Sequence, residues 1–186
     1  MLSYYQNAPL YEALQALAMR DPLRFHMPGH KGKPLFEAYA GVFALDFTET
    51  YGTGNLYTGV GPIRDAERLA ARYYGAADCH FLTGGSTQGV QAMLGSACPP
   101  GGAVLLDRAA HKSAVSGCAL FDLSPSFVYP PMVAPFDCSG PFSLSQIEEA
   151  LYMHPETAAL LVVSPNYYGV LQDIPGLAAL CHQYNK

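Results

Sequence analysis

At 186 residues, 50% of them hydrophobic and 13% charged, the chain is long and apolar enough for one globular α/β unit with a buried core, and unlike a disordered tail. A net charge of -5 with only ten Lys and Arg offers no basic groove for nucleic acid and no cationic face for an acidic membrane, so the expected partners are small molecules or protein. The N-terminal MLSYYQNAPLYEAL lacks the basic-then-apolar order of a leader, and no window holds the roughly 18 uninterrupted apolar residues of a membrane span, which predicts a soluble, cytoplasmic protein.

The first predicted helix opens at Pro9, carries Leu10, Ala13, Leu14 and Leu17 on one face, and ends at Asp21-Pro22. FHMPGHKGKP then reads as an ordered loop. A second helix begins at Pro62, buries Ile63, Ala66, Leu69 and Tyr73, and stops at Gly75. Arg64, Arg68 and Arg72 fall four apart on its exposed side, where like charges repel by roughly 0.2 to 0.5 kcal/mol per pair. Such a stack suits either an acidic partner or a solvated face balanced by Asp65 and Glu67. From residue 78 onward, the runs CHFL, AVLLD, SFVY and AALLVVS alternate as strands with helices near 86 to 97, 111 to 121, 144 to 152 and 174 to 184. This is the rhythm of a mostly parallel sheet with helical crossovers. Ser143 and Gln146 have the spacing of a capping box. Cys79, Cys98, Cys118, Cys138 and Cys181 form an odd set without a C-x-x-C pair, which predicts free thiols, several of them buried. The six histidines are scattered without metal-ligand spacing, so no metal site is expected.

Chemistry concentrates at the expected carboxyl ends of the strands, where ligands gather in such folds. In FLTGGSTQGVQAML, Phe81 and Leu82 read as a strand end, Gly84 and Gly85 permit a tight turn, and Ser86 and Thr87 open a helix. Unpaired amides and the positive end of the helix dipole favour an anion there, and small residues allow a phosphate to approach closely. A plain N-cap and turn accounts for the same residues. The loops starting near Asp107 and Ser164 hold DRAAHKS and SPNYYG. A phosphate cradle, the His111 imidazole and the Asn166 amide could converge on one flat phosphorylated ligand, although a histidine at a helix start also serves as a cap. Neither G-x-x-x-x-G-K-[ST] nor G-x-G-x-x-G after a strand is present, so no P-loop or dinucleotide site is expected.

RFHMPGHKGKP, GTGNLYTGVGPIRDAERLAARYYGA, FLTGGSTQGVQAM, VLLDRAAHKS and SPNYYGVLQDI occur in the order that resembles the ornithine/lysine/arginine decarboxylases, from about residue 8 to the end. The resemblance implies the three-layer α/β/α large domain of the pyridoxal-phosphate-dependent transferases, incomplete, with about four of seven sheet strands. It implies residues 1–60 as an N-terminal helix with active-site or dimer-seam loops, and residues 61–186 as the first part of the cofactor-binding domain. By position, Gly85, Ser86 and Thr87 would hold the phosphate of pyridoxal 5'-phosphate and His111 would stack on its ring. Asn166 stands where many members have Thr, and would reach the ring oxygen. His30 and Lys31 would lie near the active-site entrance or dimer seam, or give their loop its structure.

Lys112 is not expected to be the attachment lysine, because that motif follows a further strand carrying DEAHG. The attachment lysine and the Asp that pairs with the pyridine nitrogen would both fall beyond Lys186, so no catalytic residue is identified within the chain. The resemblance therefore implies the N-terminal portion of a decarboxylase that converts lysine, arginine or ornithine to the corresponding amine in polyamine biosynthesis. The chain is expected to be a fragment, inactive alone, from a homodimer or higher homo-oligomer. Two alternatives stand beside this: a noncatalytic phosphate-binding fragment or half of a split enzyme with a complementary C-terminal chain, and an aminotransferase-like enzyme on the same fold.

Overall fold

In a computed structural model, which describes residues 8–186, the run AVLLD forms β1 (Ala103–Asp107), and its Val104, Leu105 and Leu106 are wholly buried. Three successive apolar residues can all be buried only in a strand covered on both faces, as in the middle of a parallel sheet. β1 has that place: β2 (Ser124–Val128) and β5 (Thr157–Leu161) flank it, both parallel, in the order β2-β1-β5. Two short strands, β3 (Met132–Val133) and β4 (Cys138–Ser139), form a separate antiparallel pair.

The pleat sends Val104 and Leu106 to one face, where Leu94 and Ala114 come from α4 (Gly85–Ala97) and α5 (Lys112–Leu120). Leu105 faces the other way, onto Ile147 and Leu151 of α6 (Leu144–Met153) and Leu177 and Leu180 of α7 (Ile174–Gln183). Residues 82–186 are therefore a three-layer α/β/α unit, as expected from the alternating pattern. Glycines set the approach of α4 to α5. A Cβ at Gly117 would stand 2.8 Å from Leu94 Cδ1, and one at Gly95 would stand 2.6 Å from the Phe121 ring. These contacts advance together along both helices, so α4 and α5 run in the same direction. Since α5 follows the carboxyl end of β1, both helices begin at that edge of the sheet.

The other compact unit ends at Phe81 and contains α1 (Pro9–Met19), α2 (Ala40–Leu45) and α3 (Pro62–Tyr74). Residues 1–7, on which the leader reading partly rests, lie outside the described residues. Among the described residues no helix is long and apolar enough to cross a membrane, and all five cysteines are free, with Cys98 and Cys118 buried.

Four expectations are corrected. The run CHFL is not a strand, which leaves three parallel strands rather than about four. Side chains take the backbone groups a ladder would use: Asp78 accepts the Cys79 N–H, Arg64 donates to the Cys79 carbonyl, and Glu67 accepts the Phe81 N–H at 3.0 Å. The last strand stops at Leu161 rather than Ser164, with the Val163 N–H turned to the Asp107 carboxylate. In α3, Tyr73 is 83% exposed, whereas Glu67 and Ala71 are buried. Glu67 tolerates burial because Arg64 pairs with it at 3.2 Å and the Phe81 amide satisfies its other oxygen. Only half of the capping box forms: Ser143 accepts the Gln146 N–H, but the Gln146 amide reaches across to the Tyr129 carbonyl at 2.7 Å.

Arg64 also grips Asp78 with both guanidinium nitrogens, at 2.7 and 2.9 Å. That fork, helped by the Cys79 N–H, lowers the Asp78 carboxyl from 3.8 to about 2. A depressed carboxylate contributes stability that is present above its unfolded value and lost as pH falls through the folded one, so this contact weakens between about pH 4 and pH 2. A carbon-detected NMR titration should place the Asp78 midpoint near 2 and return it toward 3.8 in Arg64→Met. An unshifted midpoint in the unaltered chain would contradict the pairing.

Candidate functional site

The amino end of α4 is shaped by what its residues lack. Gly84 donates its N–H to Gln88 Oε1 at 2.8 Å, which closes the turn before the helix. Gly85 has a φ of +67°, a conformation that favours glycine, and no atom lies within 4 Å of where its Cβ would stand. The next residues, Ser86 and Thr87, are exposed, and neither hydroxyl has a hydrogen-bond partner among the described residues. The first amides of a helix have no intrahelical acceptor, and here neither a side-chain cap nor an acidic residue in the first turn competes for them. A row of open amides, two hydroxyls, no carboxylate and no Cβ in the way is a donor set that fits a phosphate.

His111 stands at the same edge, as the N-cap of α5. Its Nδ1 accepts the Ser113 N–H at 3.2 Å and lies 2.9 Å from Ser113 Oγ. A ring nitrogen that accepts a backbone N–H carries no proton, so the cap assigns the proton of the neutral ring to Nε2. The two readings of His111 are thus compatible: one edge of the imidazole caps the helix, while the exposed ring keeps a face for stacking. Lys112 is the exposed first residue of α5.

Asn166 is 7% exposed and mostly committed to its own loop. Its Oδ1 accepts the N–H groups of Tyr168 and Val170, both at 3.0 Å, and its Nδ2 donates to the Ser139 carbonyl at 2.8 Å. One amide hydrogen is left for a ligand.

Sequence reasoning marked Asp107 only as the start of a loop, yet this residue organises the edge. It is 1% exposed at the end of β1, and its two oxygens accept the Ala109 N–H at 2.8 Å and the Val163 N–H at 3.4 Å. The carboxylate therefore binds the loop leading to His111 to the loop leading to Asn166. The available signal was an acidic residue closing an unbroken apolar run.

In the other unit, His30 and Lys31 are held within their own loop. His30 Nε2 donates to Asp46 Oδ2 at 3.0 Å, Nδ1 accepts the Gly32 N–H at 3.0 Å, and the ring meets Phe43 edge-on at 4.5 Å between centroids. Lys31 has a φ of 55° and donates Nζ to the His26 carbonyl. Arg24 fixes the neighbouring chain, donating to the carbonyls of Phe43, Ala44 and Asp46 at the end of α2 while stacking 3.8 Å over the Phe47 ring.

Replacing Asp107 by Asn keeps the shape but aims an NH2 at a backbone N–H. That mismatch should cost about 1 to 3 kcal/mol, seen as a lower urea midpoint at unchanged slope. An unchanged midpoint would show that the Asp107 bonds contribute nothing.

The chain matches the family described as Orn/Lys/Arg decarboxylase, major domain, over residues 8–186. It is 34% identical over 183 residues to the Bacillus subtilis protein YaaO, covering 96% of this chain and 38% of that one. It is 30% identical over 190 residues to an arginine decarboxylase of Bacillus cereus, covering 99% and 41%. Lysine decarboxylase A from Pseudomonas aeruginosa shares the fold, with a TM-score of 0.65 at 23% identity over 86% of this chain and 24% of that structure. The chain thus spans about two-fifths of the length of these curated relatives. The match over residues 8–186 shows that the chain belongs to the Orn/Lys/Arg decarboxylase family.

Proposed function

We propose that this chain supplies the phosphate anchor and ring-stacking face of a pyridoxal-phosphate-dependent decarboxylase acting on lysine, arginine or ornithine. The observation that carries the reading is the acid-free, uncapped start of α4 at the sheet edge where α5 presents His111. In this reading the amides of Gly85, Ser86 and Thr87 and the two hydroxyls bind the phosphate, and the exposed face of His111 covers the ring. Asn166 offers its remaining amide hydrogen to the ring oxygen. When bound, pyridoxal phosphate supplies the electron sink that stabilises the carbanion left by departing CO2. The chain's own residues bind and orient that group.

The lysines are Lys31, Lys33, Lys112 and Lys186, and Lys112 begins α5 beside the capping histidine. None is assigned as the attachment lysine, and the chain alone is proposed to bind without turnover. Residues 1–60 as entrance or dimer-seam elements, residues 61–186 as the start of the cofactor domain, a cytoplasmic site and a homo-oligomeric whole protein belong to the same reading.

Titration with pyridoxal phosphate and with pyridoxal, followed by absorbance, tests it. Pyridoxal phosphate should bind, pyridoxal should bind at least about tenfold more weakly, and Ser86→Asp should abolish the difference by placing a carboxylate in the anion site. Borohydride reduction and peptide mapping should find no stoichiometric adduct on Lys112. Equal binding of both compounds, or a stoichiometric Lys112 adduct, would contradict the proposal.

A further inference from the structure

The loop over residues 164–172 is tied at two points to the segment that leads from β4 into α6. Asn166 Nδ2 donates to the Ser139 carbonyl at 2.8 Å, and Gln172 Oε1 accepts the Phe142 N–H at 2.9 Å. The second tie reaches the core. Phe142 is 5% exposed and packs in the cluster that contains Ile147, Leu151 and Leu177, but it lies outside helix and strand, so no ladder supplies its N–H with an acceptor. Gln172 supplies it. Gln172 is itself 8% exposed, its N–H is donated to Ser164 Oγ at 3.0 Å, and its carbonyl accepts the Ile174 N–H at 2.9 Å. Its side chain is therefore stationed at the base of the loop that carries Asn166.

The first tie orients the Asn166 amide. Oδ1 accepts the Tyr168 and Val170 N–H groups, and hydrogen bonds at a carbonyl oxygen have a broad angular preference, so these two leave the amide plane some freedom. The Ser139 carbonyl takes one hydrogen of Nδ2 and thereby sets the direction of the other, because both lie in one rigid plane. The remaining backbone bonds of residues 138–142, the β3–β4 pair and the Gly140 N–H on the Pro131 carbonyl at 2.7 Å, are internal to the hairpin and move with it. Among the described residues, the hydrogen bonds that fix this segment to anything beyond the hairpin are those of Asn166 and Gln172.

We propose that Gln172 is a positioning residue: by holding Phe142 it fixes the Ser139 carbonyl, and through that carbonyl the direction of the one Asn166 amide hydrogen left for a ligand. That the ligand atom is the ring oxygen of pyridoxal phosphate rests on the decarboxylase reading; the positioning itself does not.

The test compares three variants of the full chain. Gln172→Met removes the acceptor at similar length, Gln172→Glu keeps an oxygen for Phe142, and Ser143→Ala removes the α6 cap beside Phe142 without touching either tie. NMR of the labelled chain should show the Asn166 side-chain amide protons moved in Gln172→Met and unmoved in the other two. Binding followed by absorbance should agree. The unaltered chain should prefer pyridoxal phosphate by about fivefold over its 3-deoxy analogue, which lacks the ring hydroxyl, as expected for one hydrogen bond. Gln172→Met should bring that ratio close to one while retaining the preference for pyridoxal phosphate over pyridoxal, and Gln172→Glu and Ser143→Ala should retain both. Should Gln172→Met not fold, Gln172→Asn, whose shorter side chain withdraws the acceptor, takes its place with the same expectation. Unmoved Asn166 protons on loss of the acceptor, an undiminished ratio there, or an equal loss in Gln172→Glu or Ser143→Ala would overturn the proposal. If pyridoxal phosphate does not bind, the Asn166 protons alone decide the positioning and only the ring-oxygen assignment is withdrawn.

Discussion

The candidate site depends on one buried carboxylate. Asp107 closes the central strand, and burial at 1% exposure means that each of its oxygens needs a donor. The donors are backbone amides from the two loops that carry His111 and Asn166. A continuous apolar strand holds Asp107 in place from below, since Val104, Leu105 and Leu106 lock β1 between two helical layers. Packing thus fixes the strand, the strand fixes the carboxylate, and the carboxylate fixes the loops. Precision at the edge comes from the core rather than from the loops themselves.

The proposed phosphate cradle works differently. Nothing caps α4, nothing acidic stands in its first turn, and Gly85 leaves open space where another residue would place a Cβ. A helix start without its own acceptors keeps its amides for a ligand. α5 shows the contrast at the same edge: His111 accepts the Ser113 N–H and so commits one of the first amides of that helix to its own position. One terminus is left open, and its neighbour is closed to hold an imidazole steady. Gly95 and Gly117 bring the two helices close enough to share that edge.

Local and periodic features were legible in the sequence, and contacts across long separations were not. The alternation of AVLLD with helical runs identified the parallel sheet, and the glycines before Ser86 located the start of α4 to within one residue. CHFL has the composition of a strand, but whether such a run pairs depends on partners far along the chain, and here Glu67, Asp78 and Arg64 occupy its backbone instead. Tyr73 fits a helical stripe by spacing, yet the buried side of α3 follows the Arg64, Glu67 and Asp78 network. Asn166 was legible as a polar residue in a strand-end loop. Its three bonds to Ser139, Tyr168 and Val170 were not, because they depend on the course of β4 and on the following turn.

The central claim is that the start of α4 and the ring of His111 form one site. Amide and side-chain NMR of the labelled chain during addition of pyridoxal phosphate tests it most directly. The account predicts that the amides of Gly85, Ser86 and Thr87 and the ring protons of His111 shift together, with a single midpoint. Shifts in the amides with a silent imidazole, two separate midpoints, or no shift in either group would contradict it.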